Sequence, residues 1–216
     1  MPNNKKRLVI NIEGIVQGVG FRPFIYGLAV KYRINGWIAN YPDGVVIEAE
    51  GDNNNLQLFF DGIFSELPAI SYISGHSVKE ESPIGYESFE IKESKSLSTH
   101  NSLISPDVSV CDECLSEMMD PSNRRYMYPF INCTNCGPRF TIIGGIPYDR
   151  INTTMKSFKM CEACESEYKD PTDRRFHAQP VACSKCGPKL RLLDNSGNSI
   201  SVGREIEATI SFLKQG

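Results

Sequence analysis

The first half of the chain alternates between the two-residue period of strands and the 3.6-residue period of helices. Residues 7–16, RLVINIEGIV, predict a strand, and a helical spacing of apolar residues begins at Phe21. Two strand-like runs then flank YPDG, which favours a hairpin. A second helical face follows, preceded by asparagines suited to an N-cap, and one or two strand-like runs come after it. The apolar residues of that second face are Leu56, Phe59, Phe60, Ile63, Phe64 and Leu67.

This order of elements predicts an α+β fold for residues 1–94. The order β-α-β-β-α-β is typical of a ferredoxin-like sandwich, in which helices cover one face of an antiparallel sheet. Residues 95–106 are rich in serine and lack a periodic apolar pattern, so we expect a linker there.

An internal repeat dominates the second half of the chain. Residues 111–140 and 161–190 align without a gap at an offset of 50 residues, and they share C-x2-C, DP, RR and C-x2-C-G-P. We therefore assign residues 107–190 to a small domain of two tandem zinc fingers. Residues 191–216 form a tail that contains the start of another helix.

The eight cysteines all lie in these repeats, each of which has the spacing C-x2-C-x18-C-x2-C. Two such pairs can supply the closed tetrahedral sulfur shell of a structural Zn²⁺. Pairing within each repeat is our first hypothesis, and an exchange of pairs between repeats preserves the same symmetry. Redox-active pairs or disulfides are less favoured, because four copies occur without a strand-then-helix context. The expected ligands of the two zinc ions are Cys111, Cys114, Cys133, Cys136, Cys161, Cys164, Cys183 and Cys186.

Composition and charge narrow the set of partners. The net charge is −3, and residues 107–190 balance eleven basic with eleven acidic residues, so we expect no nucleic-acid partner. We predict a cytoplasmic protein with no membrane partner, because neither a long apolar run nor a signal peptide is found. The paired arginines at 124–125 and 174–175 favour structural ion pairs. His177 is interpreted as a packed or capping residue, since Met127 takes its place in the first repeat.

A glycine-rich segment, GIVQGVGFRPF at residues 14–24, is the candidate for chemistry. It lacks the third glycine of a dinucleotide-binding loop, where Pro23 stands, and the Gly-Lys-Ser/Thr of a Walker loop. A glycine turn between a strand and a helix N-terminus can instead cradle an anion with its amides, and Arg22 can grip two oxygens. A glycine turn without a ligand is the simpler alternative. The expected phosphate-binding residues are Gln17, Gly18, Val19, Gly20 and Phe21.

The segments GIVQGVGFRPFIYGLA and NGWIANYPDGVVIEAEG closely resemble the signature of the acylphosphatase family. The repeats, with NCTNCGPRFTII, PYDR and DRRFHAQPVACSKCGP, resemble the zinc-finger region of HypF-type carbamoyltransferases of hydrogenase maturation. The resemblance implies that Arg22 and Asn40 are the catalytic residues. Arg22 would hold the phosphoryl oxygens together with the amides of residues 17–22, and Asn40 would orient the attacking water.

The resemblance implies an acylphosphatase-type hydrolase that releases phosphate from carbamoyl phosphate or another acyl phosphate. In the family a YrdC-like domain and a carbamoyl-transfer domain follow, and a maturation partner protein accepts the carbamoyl group. We expect this chain to be truncated before those domains and to perform only the first step. The rival interpretation is a non-catalytic, zinc-stabilised docking module for the maturation partners.

Overall fold

The computed structural model describes residues 5–94 and 107–215. Residues 1–4, 95–106 and 216, including the whole predicted linker, lie outside the described residues. We call residues 5–94 the N-terminal domain and residues 107–190 the cysteine region.

The N-terminal domain follows the predicted order of strands and helices. Its elements are β1 (Lys5–Ile15), α1 (Phe21–Lys31), β2 (Asn35–Tyr41), β3 (Gly44–Asp52), α2 (Asn53–Ser65), β4 (Tyr72–Glu81) and β5 (Phe89–Ile91). The five strands form one sheet in the order β4-β1-β3-β2-β5. YPDG closes the β2–β3 hairpin, with Tyr41 opposite Gly44.

The sheet is mixed, which corrects the expected antiparallel arrangement. Strand β5 pairs parallel to β2, whereas the other pairs are antiparallel. The reason is that the chain crosses from β4 at one edge of the sheet to β2 near the other edge before it resumes pairing. The Glu50 carboxylate holds the crossing segment by accepting hydrogen bonds from the amides of Ile84 and Gly85, at 2.8 Å and 3.0 Å.

The core of the N-terminal domain lies between the sheet and helices α1 and α2. Alternate residues of β1 and β3, such as Ile10, Ile12 and Ile47, are fully buried there. Helix α2 begins with a cap from Asp52, whose carboxylate accepts a hydrogen bond from the Asn55 amide at 3.0 Å. The asparagines expected to cap this helix lie inside it, because the acidic residue just before them takes the cap position.

The two repeats of the cysteine region have matching structures. Each begins with a short helix, α3 (Asp112–Met119) or α4 (Glu162–Lys169), and continues in turns. Met127 and His177, which occupy the same repeat position, both adopt positive φ, at 54° and 55°. A hairpin of β6 (Leu192–Leu193) and β7 (Ser199–Ile200) and helix α5 (Glu205–Gln215) follow. No helix in the described ranges has both the length and the apolar character needed to cross a membrane.

The paired arginines join each repeat to the other one. Arg125, which is 1% exposed, donates to Glu167 at 3.0 Å and to the carbonyl of Ala182 at 2.9 Å. In the same way Arg175 donates to Glu117 at 2.6 Å and to the carbonyl of Asn132 at 3.1 Å. These contacts agree with the structural ion-pair interpretation of the arginine pairs.

The other arginine of each pair reaches the sulfur cluster of the opposite repeat. Arg124 lies 3.3 Å from Cys164 Sγ, and Arg174 lies 3.0 Å from Cys114 Sγ. Burial alone would raise the pKa of Glu167, but its hydrogen bonds from the arginines outweigh burial and lower that pKa to about 2. The arginines of each repeat therefore neutralise acidic and sulfur groups of the other repeat, and the two repeats pack against each other.

Candidate active site and metal centres

The glycine loop forms the predicted turn between strand β1 and the N-terminus of helix α1. Gly18 and Gly20 have φ values of 73° and 75°, which side chains rarely allow. Gly20 is the N-cap residue of α1, and its carbonyl accepts the first helical hydrogen bond, from Phe24 at 3.0 Å. The loop therefore leads directly to the positive end of the helix dipole, where an anion is favoured.

Gln17 ties this loop to the β2–β3 turn. Its side-chain amide donates to the carbonyls of Tyr41 at 2.7 Å and Gly44 at 2.9 Å. Asn40 directly precedes Tyr41, so the contact brings the carboxyl end of β2 beside the loop.

Asn40 is fully buried, and neither its amide nitrogen nor its amide oxygen has a hydrogen-bond partner in the described part of the chain. Buried amides are nearly always paired, because desolvation without a partner is costly. An orphaned amide at this place is suited to hold a ligand or a water molecule.

Arg22 lies in the first turn of α1 and points toward the cysteine region. Its side chain is largely buried, at 8% residue exposure, and its Nη2 lies 2.8 Å from Asp149 Oδ1. The same nitrogen donates to the Tyr148 carbonyl at 3.3 Å. The guanidinium therefore already binds an anionic group that the other half of the chain supplies.

The cysteine region covers the glycine loop. The Tyr148 amide donates to Gln17 Oε1 at 3.0 Å. A Cβ added to Gly18 would lie 2.9 Å from both Pro138 and Tyr148, and one added to Gly20 would lie 3.2 Å from Thr134. The enclosed cavity between the loop and these residues has a volume of about 20 Å³, which holds roughly one water molecule.

His177 lines this cavity together with Arg22. Burial, and then the nearby charge of Arg22, lower its pKa to about 4, so the imidazole is neutral near pH 7. Its ring packs against Phe176 and Tyr168, with centroids 4.7 Å and 5.0 Å away. A larger open groove of about 550 Å³ begins at the same side chains, Arg22, Asp149 and His177.

The eight cysteine sulfurs form two groups, and each group comes from a single repeat. This is the first of the two arrangements considered from the sequence. Contacting sulfurs lie 3.5 to 3.8 Å apart in the first group and 3.6 to 3.8 Å apart in the second. A tetrahedron of sulfurs about 2.3 Å from a zinc ion has edges of about 3.8 Å. Each group could therefore hold one such ion with little rearrangement.

The structure brings the expected site residues together and adds others that the sequence did not reveal. Arg22, Asn40 and the loop residues from Gln17 to Phe21 lie at one end of the sheet. Tyr148 and Asp149, which face them, were not expected there. The only signal was the PYDR segment, which resembles the family but carries no indication of what it touches.

Comparisons with known proteins match both halves of the chain. The acylphosphatase family model matches residues 8–91, and the HypF finger model matches residues 110–143 and 160–193. An acylphosphatase from Thermotoga petrophila is 46% identical over 88 residues, which are 40% of this chain and 97% of that protein. A carbamoyltransferase HypF from Synechocystis sp. is 43% identical over 154 residues, which are 71% of this chain and 20% of that protein.

A solved structure matches both halves at once. The crystal structure of a full-length HypF in its phosphate- and nucleotide-bound form aligns with a TM-score of 0.90 and 47% identity. The alignment covers 98% of this chain and 27% of that one. The chain thus spans about a fifth of the length of the HypF relatives it matches by sequence.

Proposed function

We propose that this chain, which belongs to the acylphosphatase family through its N-terminal domain, hydrolyses small acyl phosphates. The chain belongs to the HypF family because it combines that domain with tandem HypF fingers. Carbamoyl phosphate is the proposed natural substrate. Phosphate release from it would be the first step of carbamoyl transfer in hydrogenase maturation.

The observation that carries this proposal is that Arg22 and the glycine loop lie at one helix N-terminus, and that the strand end with the orphaned Asn40 amide is tied to this loop through Gln17. Arg22 would bind two phosphoryl oxygens, and the loop amides would bind the others. Asn40 would orient the attacking water with the amide that lacks a protein partner. A solved relative was crystallised in a phosphate- and nucleotide-bound form, so phosphate is a ligand of that full-length protein.

The chemistry needs few side chains. Acyl and carbamoyl phosphates release a carboxylate-like group whose conjugate acid has a pKa of roughly 4, so no proton donor is needed. Phosphoryl transfer passes through a loose transition state that requires mainly positioning and charge stabilisation. A neutral His177 near Arg22 is compatible with this, because the proposed reaction uses no general acid.

We also propose that the two sulfur groups each bind a structural Zn²⁺. Four thiolates in a closed shell leave no open position for catalysis, so the ion would serve to crosslink each repeat. All eight cysteines are free thiols rather than disulfides, which supports action in the cytoplasm. A maturation partner protein would accept the carbamoyl group in a later step of the complete transfer reaction.

The test is phosphate release from carbamoyl phosphate and from acetyl phosphate. Arg22→Lys keeps the charge but loses the two-pronged grip, so we expect hydrolysis to fall by about 100-fold or more. Arg204→Lys, on the exposed start of the last helix, is the matched control and should leave the rate unchanged. Equal rates in the wild type and Arg22→Lys would refute the assignment.

The small cavity beside Gly18, Gly20 and Arg22 favours the rival function, a non-catalytic docking module. This cavity holds little more than one water molecule. An intact, zinc-loaded chain that releases no phosphate from either substrate would support that module instead.

A further inference from the structure

Four residues of the cysteine region, Thr134, Pro138, Tyr148 and Asp149, form a cover over the phosphate cradle. We propose that this cover is a specificity determinant: it restricts the acylphosphatase site to acyl phosphates with small acyl groups. The inference rests on the proposed hydrolysis of acyl phosphates and adds which members of that class the site accepts.

The cover faces the part of the cradle that a substrate must enter. Gly18 and Gly20, the two loop positions with left-handed backbone, lie directly under Tyr148, Pro138 and Thr134. Even a methyl group on Gly18 would meet the Tyr148 ring and Pro138 at 2.9 Å, closer than atoms of this kind normally approach. The two glycine positions of the loop therefore face protein rather than open solvent.

A phosphoryl group that binds at the glycine loop has to displace part of the cover. A cavity of about 20 Å³ is smaller than a phosphoryl group, since it has room for about one water molecule. Three polar links hold the cover next to the loop: the Tyr148 amide donates to Gln17, and Arg22 donates to the Tyr148 carbonyl and pairs with the Asp149 carboxylate. A phosphoryl group presents anionic oxygens like those of Asp149, so it can replace that carboxylate on Arg22.

The size of the acyl group then decides how far the cover must move. In the proposed binding mode, the phosphoryl oxygens bind the loop amides and Arg22, and the acyl group points toward Tyr148 and Thr134, which lie over Gly18 and Gly20. A carbamoyl or acetyl group adds only a small planar unit on that side. A benzoyl group adds a ring that would have to push the cover further from the loop and break more of its packing.

Tyr148 is the member of the cover with the largest side chain, and it is held firmly in place. It is 3% exposed, and its ring lies against the Gly18 position while its amide bonds to Gln17. Because it cannot turn into solvent without breaking this packing, its ring acts as a wall of the site.

The test compares kcat/KM for acetyl phosphate and benzoyl phosphate in the intact chain. We expect the wild type to prefer acetyl phosphate strongly, and Tyr148→Ala to narrow that preference by about 10-fold or more, since a pocket wall discriminates by such factors. Tyr126→Ala, which removes an exposed tyrosine of the same region, is the matched control and should keep the wild-type ratio.

A milder variant keeps the test valid if Tyr148→Ala does not fold. Tyr148→Leu removes the aromatic ring that lies against the Gly18 position and keeps an apolar side chain at this buried place. It should shift the ratio in the same direction by a smaller factor. Zinc content and circular dichroism would show that each variant is folded.

The outcomes separate this inference from the proposed function. Hydrolysis of acetyl phosphate with a ratio that is the same in the wild type, Tyr148→Ala and Tyr148→Leu would overturn the size restriction and leave the proposed function intact. A wild type that hydrolyses both substrates equally well would do the same. Failure of the folded, zinc-loaded wild type to release phosphate from either substrate would overturn both.

Discussion

At the scale of single residues, Asn40 is the side chain whose environment makes least sense for stability alone. It is fully buried in β2, yet its amide has no partner among the residues that the structure describes. A group that destabilises the fold is retained where it serves a reaction, so stability and activity should respond to its replacement in opposite ways.

Asn40→Leu should therefore keep or raise the free energy of unfolding while phosphate release falls by about 100-fold. The control is Asn132→Leu. The Asn132 amide donates to the carbonyls of Phe130 and Pro180, both at 3.1 Å, so its loss should cost about 1–3 kcal/mol. Denaturant unfolding and the phosphate assay measure the two effects. A large loss of stability in Asn40→Leu would show that the amide is paired after all.

His177 gives a second prediction at this scale. Its folded pKa of about 4 lies below the unfolded value of about 6.5, so the unfolded chain binds more protons between these values. The stability from burying the neutral ring is complete above pH 6.5 and is lost as the pH falls toward 4. An NMR titration, with His177→Gln to assign the signals, should find this imidazole still neutral at pH 5.5. A midpoint near 6.5 would contradict its burial beside Arg22.

Some residues of the candidate active site could be predicted from the sequence, and others could not. Arg22 and the loop could be named because glycine at positive φ and a helix N-terminus are local features. Asp149 could not, because it meets Arg22 only after the chain has folded through more than a hundred intervening residues. No periodicity or spacing records a contact of that kind.

At the scale of elements, arginines of each repeat bind glutamates of the other repeat. These contacts explain why the cysteine region needs two repeats. Each repeat is a short helix with turns and has few buried apolar residues of its own. The arginine–glutamate pairs, Arg125 with Glu167 and Arg175 with Glu117, replace part of the missing core.

Arg125→Ala should destabilise the cysteine region by about 3–5 kcal/mol, because it leaves the Glu167 carboxylate with fewer partners and breaks a buried pair. Lys169→Ala, which breaks the exposed pair with Glu165 on α4, is the control and should cost less than about 1 kcal/mol. Thermal unfolding of the zinc-loaded chain measures both. Similar losses in the two variants would argue against a structural role for the buried pair.

The order of elements was predictable, but some details of the sheet were not. Long amphipathic segments such as β1, α1 and α2 carry enough residues to show their period. Strand β5 has three residues, too few to show a period or a direction, so its parallel pairing with β2 was not foreseen. The cap of α2 was misplaced by one residue because both aspartate and asparagine are good capping residues.

At the scale of the whole molecule, the candidate active site belongs to neither half alone. The N-terminal domain supplies the cradle and the cysteine region supplies its cover. Motifs predicted each half separately, since each is a local pattern. The closed site between them depends on how two surfaces pack, which no local pattern encodes.

Removal of metal tests whether the two halves of the chain depend on zinc to different degrees. We expect a zinc chelator to unfold residues 107–190 while the N-terminal domain keeps its own core, because folding of four-cysteine sites depends on the ion. Signals of the N-terminal sheet should persist in NMR spectra, and those of the cysteine region should collapse. If the chelator left the cysteine region's thermal transition in place, the metal assignment would be wrong.

The contacts between the two repeats also affect how the chain would bind its two zinc ions. Because Arg124 and Arg174 each reach a sulfur of the opposite group, we expect zinc binding at one group to favour zinc binding at the other. At half the required zinc, fully loaded and metal-free molecules should therefore outnumber singly loaded ones, which makes the cover over the phosphate site an all-or-none feature of each molecule.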